Sequence, residues 1–184
     1  MASRPEHWMD NSAGYGYVSR FLHWSMALLF TWQFASALLR VFADETPVQV
    51  FFWRTHHSIG FSLFVLVLLR GAWGLINARR RPAHAQSLLG RAAFAGHIAL
   101  YALMVAVPLL AIVRAYGRGR GFPPFGVPLF TPTGVEIPAL TAPANALHGL
   151  LGWTLLALVA GHIAMVLIHR YLWRDDTLSR MKRG

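Results

Sequence analysis

Nine histidines stand in this chain of 184 residues, and most of them fall within apolar stretches. An ionisable side chain in hydrocarbon is costly and is kept for ligand, proton or ion chemistry. His148 and His162 lie fourteen positions apart in one such stretch. At roughly 100° per residue their side chains return to within about 40° of the same helix face, about 21 Å apart along the axis. One helix can thus offer two imidazoles near opposite sides of a membrane. Three further stretches each carry a histidine of their own: His23, His56 with His57, and His97.

The elements that must position these rings follow from composition. Hydrophobic residues make up 55% and charged residues 13%, against about a quarter charged in a typical soluble domain. Mean hydropathy is +0.44. A spanning helix needs roughly 20 apolar residues, and four windows qualify: 17–40, 48–76, 88–113 and 145–173. They nearly use up the chain. The expectation is one domain over residues 1–184, all-α, a transmembrane four-helix bundle with up-down topology. Glu6 and Asp10 precede the first span, so no compact signal-peptide pattern is expected. The absence of cysteine excludes cysteine-ligated iron–sulfur clusters and covalent haem attachment through CxxCH.

The net charge of +10 could suggest nucleic acid. The basic residues instead flank the spans, so no nucleic acid partner is expected. Arg40, Arg54, Arg114, Arg118 and Arg120 fall on one side of a four-span arrangement, and the other twelve of the 17 Lys and Arg on the other. The positive-inside rule then puts both termini in the cytoplasm. Residues 116–144 form the only long connection, rich in Gly and Pro. Its Phe122, Phe125, Val127, Leu129 and Phe130 suggest a cap over the outer end of the bundle. Pro108 predicts a kink in the third span, tolerable within a bundle.

Up-down topology sorts the histidines by depth. His7 and His84 fall outside the spans and read as surface residues. The outer layer holds His56 or His57 together with His148. The inner layer holds His23, His97, His162 and His169. Two layers with at least two imidazoles each are what two bis-histidine haems would require. Structural zinc wants four ligands, usually with cysteine or carboxylate, and neither layer supplies these. Small residues beside the histidines (Ala27, Gly60, Gly152, Gly161) leave room for a flat ring, as small residues do at close helix contacts.

The segments FLHW (21–24), HHSIG (56–60), LLR (68–70), GHIALY (96–101), YGRG (116–119), LHG (147–149), GHIAMVLIHRYLW (161–173) and DDTLSRM (175–181) resemble the bacterial cytochrome b561 type. More distantly they resemble the membrane cytochrome b subunits of formate dehydrogenases and nickel–iron hydrogenases. The resemblance covers nearly the whole chain after Tyr15; the first fourteen residues have no counterpart. It implies a diheme b-type cytochrome of the bacterial cytoplasmic (inner) membrane that exchanges electrons with quinone. Carried over by position, His56 and His148 would hold the outer haem, and His23 and His162 the inner one. Depth alone does not choose between His23 and His97. Full axial ligation disfavours oxygen binding and suits one-electron transfer.

His97 and His169 are left over in the inner layer. They are the candidate catalytic groups for proton exchange with quinone, because imidazole titrates near neutral pH. The family allows superoxide as the outer-face donor and ubiquinone as acceptor, with Arg114, Arg118 and Arg120 attracting the anion. The alternative is a membrane anchor that relays electrons for a partner dehydrogenase. The partners to expect are therefore the membrane, a quinone, a redox protein and a second copy of the chain.

Overall fold

The four apolar runs fold as four long helices in the computed structural model, which describes residues 8–81 and 87–182. These are α1 (Tyr17–Phe42), α2 (Pro47–Ile76), α3 (Leu88–Gly117) and α4 (Pro138–Ile168). A π-helical turn, His169–Trp173, continues α4 and leads to a short α5 (Thr177–Lys182). Each of the four helical runs is long and apolar enough to cross a membrane. His7 and His84 lie outside the described residues.

Local chemistry sets the starts. Thr46 and Ser87 precede α2 and α3, and their hydroxyls accept from the backbone N–H of Gln49 and Gly90; a cap of this kind contributes about 1 kcal/mol. Pro47 and Pro138 open α2 and α4, where the missing N–H forfeits no helical bond. The largest shifts from the sequence reading fall at two boundaries. α3 runs past residue 113 to Gly117, and α4 begins at Pro138 rather than residue 145. Gly117 explains the close meeting of these ends: a Cβ there would lie 2.8 Å from Cβ of Leu140. The Ile137 N–H donates to the Gly117 carbonyl at 2.7 Å.

The loop is therefore confined to 118–137, and it is not structureless. A 3-10 turn spans Pro124–Gly126, Leu129 N–H donates to Phe122 C=O, and Thr133 and Gly134 N–H both reach Gly119 C=O. Gly119 has φ +65°, and a Cβ there would meet the Val135 oxygen at 2.5 Å. The cap expectation is met in part. Phe122 is buried, stacked on Phe130 and edge-on to Phe61 and His57. Phe125 N–H donates to Ser58 Oγ, tying the loop to α2. Phe125, Val127 and Leu129 remain exposed.

α1 packs along α2, α3 along α4, and α2 touches α3. Met26, Leu63 and Val67 form the buried centre, with Phe30, Tyr101 and Met104 against it. At most 11% of any span's apolar window is buried inside the protein. Such surfaces need lipid or a bound group for contact, since contiguous exposed apolar area is rare on soluble proteins.

The described segments that precede α1 and follow α4 meet at one end of the bundle, here called the terminal end. Tyr15 N–H donates to Arg180 C=O, Arg20 to Lys182 C=O, and the Trp24 indole to Met181 C=O. Asp10, preceding α1, is buried there. Its carboxylate accepts from Gly16 N–H at 2.9 Å and pairs with Arg81 at 2.8 Å, and its own N–H donates to Asn77. Gly16 is required at this crossing, because a Cβ would lie 2.5 Å from the Trp8 oxygen. The opposite end carries the 118–137 loop and is called the loop end.

Candidate functional site

Helix periodicity brings histidines from different spans together in two places. At the terminal end, α1, α3 and α4 contribute His23, His97 and His162. The rings of His23 and His162 have centroids 6.4 Å apart and planes 66° apart. His97 and His162 are closer, at 5.6 Å and 82°. An imidazole nitrogen sits about 2 Å from a metal it ligates, and the ring centre about 1.1 Å behind it, so two rings on opposite sides of one metal have centroids about 6.2 Å apart. His23 and His162 match that separation; His97 and His162 are too close for it.

His97 differs in surroundings as well. It is exposed on the bundle, and its Nδ1–H donates to the Ala93 carbonyl at 2.7 Å. Among the described residues no hydrogen bond holds the ring of His23 or His162. Arg70 on α2 donates to the Ser19 carbonyl at 2.8 Å, and Trp73 to the Ser19 hydroxyl at 3.0 Å. A cation is thereby fixed beside this layer.

At the loop end a cleft of about 60 Å³ runs between the helices. His56, His57, Gly60, Arg114, Phe122 and His148 all line it, as do Gln33 and Val107. The Nδ1–H of His148 donates to the Val107 carbonyl at 2.9 Å, immediately before Pro108, leaving Nε2 as the free lone pair. His56 is held on both nitrogens: Nδ1 lies 2.7 Å from Ser36 Oγ and Nε2 lies 3.1 Å from Gln33 Nε2. Trp53 stacks on the same ring at 4.7 Å. The neighbouring His57 is exposed and touches Phe122 edge-on. His56 is thus the fixed ring of the pair, and His57 stands at the rim.

His169 belongs to neither group. It opens the π-helical turn, a distortion often found at functional positions, and it pairs with Asp175 while meeting Trp173 edge-on at 4.6 Å. The hydrogen bond from His169 holds the Asp175 carboxyl down at about 2, below the usual carboxylate range, with further help from Thr177. No hydrogen bond or ring contact joins His169 to His97, so the two proton-exchange candidates are not brought together.

Each end brings together three histidines, His23, His97 and His162 at one and His56, His57 and His148 at the other. Among the described residues no cluster of three or more His, Asp or Glu is arranged to hold a bare metal ion. A pair of neutral nitrogens suits a metal whose remaining ligands come from a macrocycle, as in bis-histidine haem. Room for the ring is consistent with this: the space a Cβ would take at Gly152 and Gly161 is empty. Gln33 and Ser36 escaped the sequence reading. Their signal was present, as two polar residues three positions apart within an apolar span, a spacing that places them on one helix face.

The family model for prokaryotic cytochrome b561 matches residues 14–184. Among its relatives, Escherichia coli (strain K12) cytochrome b561 homolog 2 is 32% identical over 175 residues, covering 91% of this chain and 90% of that protein. A Yersinia pestis protein named "Probable superoxide oxidase CybB" is 31% identical over 172 residues, covering 89% and 94%. Escherichia coli (strain K12) cytochrome b561 homolog 1 is 31% identical over 171 residues, covering 88% and 92%.

Proposed function

Because the chain belongs to the prokaryotic cytochrome b561 family, we propose that it is a diheme membrane oxidoreductase, one unit from end to end. It carries electrons across the bacterial cytoplasmic membrane from superoxide at the outer face to ubiquinone. His23 and His162 would hold one haem b at the terminal end, and His56 and His148 the other at the loop end. The observation that carries this reading is the 6.4 Å separation of the His23 and His162 rings, joined to the shared cleft of His56 and His148 at the opposite end. When bound, six-coordinate haems supply one-electron transfer and leave no open position for oxygen.

The remaining roles belong to side chains. Val107 fixes the tautomer and direction of His148, the kind of outer support that tunes a ligating imidazole. Arg114 at the cleft and Arg70 beside the other layer are the cations available to cofactor carboxylates. Arg114, Arg118 and Arg120, clustered where α3 meets the loop, would raise the local concentration of a small anion. The superoxide assignment also draws on the printed name of the Yersinia pestis relative. With the termini cytoplasmic, His97 and His169 lie on the side where quinone would take up protons.

The decisive experiment is a reduced-minus-oxidised visible spectrum with a pyridine haemochrome count on the purified chain. Two equivalents of haem b are expected; one equivalent, or a colourless protein, overturns the reading. A second reading, a relay subunit for a dehydrogenase, rests on the exposed Phe125, Val127 and Val135 of the loop. A stable partner retained in mild detergent would favour it, whereas a homodimer active with quinone favours the stand-alone enzyme.

A further inference from the structure

We propose that Trp53 is a positioning residue for the loop-end haem: stacked on His56 and itself held by Arg40, it fixes the plane in which that imidazole stands. The inference rests on the diheme reading above and concerns how one ligand is oriented.

Trp53 and His56 lie three positions apart on α2, a spacing that puts them on one helix face. Their ring centroids are 4.7 Å apart and their planes 29° apart, which is stacking geometry for two flat rings. The guanidinium of Arg40, near the end of α1, lies 5.6 Å from the Trp53 ring centroid, within range for a cation held on an indole face. Arg40 is in turn paired with Asp44, one turn further on. A line of contacts therefore runs from the turn between α1 and α2, through Arg40 and Trp53, to His56.

The imidazole needs this support because its second side-chain torsion has broad wells. Ser36 restrains one edge of the ring. Its buried hydroxyl donates to the Gln33 carbonyl at 2.6 Å, so toward His56 Nδ1, 2.7 Å away, it accepts. A hydrogen bond tolerates bending. Ser36 thus sets where Nδ1 points and leaves the ring able to tilt about that bond. A stacked indole removes the tilt. Neither contact intrudes on the cleft: among the described residues its lining includes His56 and Gln33, which faces Nε2 at 3.1 Å, but not Ser36 or Trp53.

The plane of an axial imidazole decides how the half-filled orbital of low-spin ferric iron is oriented, and electron paramagnetic resonance reads that orientation. The hydrogen bond at Nδ1 instead raises the basicity of the ring, and with it the preference for ferric iron. Trp53 governs the first quantity and Ser36 the second, at a single ligand.

The test uses the haem-loaded full-length chain purified from membranes. Wild type should carry two haem b equivalents and show two low-spin ferric signals. Trp53→Leu should shift and broaden one signal and leave the other in place. Trp53→Phe, which keeps an aromatic face, should restore the wild-type position. Ser36→Ala should move that same signal and raise the midpoint potential of one haem by about 59 mV, a tenfold loss of preference for ferric iron. Arg40→Gln releases the indole without removing it, should broaden the same signal, and decides the question if the leucine variant does not assemble. Two haems with both signals unmoved, with both moved together, or with a signal other than the one Ser36→Ala moves, would overturn the role of Trp53 and leave the diheme reading standing. A wild-type chain with one equivalent of haem overturns both.

Discussion

At the terminal end the His23 and His162 rings lie with centroids 6.4 Å apart and planes 66° apart, with no hydrogen bond on either ring among the described residues. At the loop end both nitrogens of His56 are engaged, and His148 is fixed by the Val107 carbonyl. Under the diheme proposal, the same ligand chemistry would be prepared in two ways. One layer is set by where three helices place their side chains. The other is set by outer groups that orient each ring in advance, which commonly changes metal affinity by about tenfold to a hundredfold. A site of the first kind should depend on its ligands alone. A site of the second kind should respond to neighbours that never touch the metal.

The largest expected effect breaks one layer and spares the other. His162→Ala should reduce haem content from two equivalents to one by pyridine haemochrome, with His97 unable to substitute. His23→Ala should do likewise. Restoration of the second equivalent by His97 would show that the ring separations at this end do not select the ligands. His97→Phe is the complementary change: both haems stay, and quinol-dependent reduction slows by tenfold or more, on the order of what a positioned proton-transfer group contributes. Unchanged kinetics would remove His97 from quinone chemistry.

Smaller changes sharpen the contrast. Ser36→Ala removes the acceptor of His56 Nδ1–H and should weaken haem retention at the loop end by about tenfold, measured by transfer to apomyoglobin, with no change at the terminal end. Raising salt should slow haem reduction by superoxide, because a steering field from Arg114, Arg118 and Arg120 is screened within about 10 Å at 0.1 M. A rate indifferent to salt would exclude that field. The smallest effect concerns Asp175. Its pKa is lowered in the folded chain, so its contribution is complete above the ordinary carboxylate value near 4 and is lost as pH falls toward 2. Asp175→Asn should abolish that acid-range loosening of the segment after α4, read by hydrogen exchange at Thr177. The carboxylate is exposed, so water screens the pair and the gain is slight.

Much of this molecule was legible before any coordinates. The four spans follow from runs of apolar residues, and the depth of each histidine from its position along a span. The ends of α3 and α4 were not legible. Residues 114–117 and 138–144 mix charge, glycine and proline, and they become helical because Gly117 lets the two helices meet and Pro138 opens α4 without losing a bond. The short α5 was likewise missed, because its docking partners Tyr15, Arg20 and Trp24 lie about 160 residues away in the sequence.

The amino-acid order by itself determined that imidazoles would stand at two levels within apolar helices, since periodicity and span length fix depth and face. Only the packed chain decided which rings meet. Sequence spacing places His23 and His97 at the same depth, and it took the approach of α1, α3 and α4 to set one at 6.4 Å and the other at 5.6 Å from His162. His56 and His57 are told apart by their surroundings in the same way. Adjacent residues on a helix point about 100° apart, and only the neighbouring α1, carrying Gln33 and Ser36, gives one of them a fixed place.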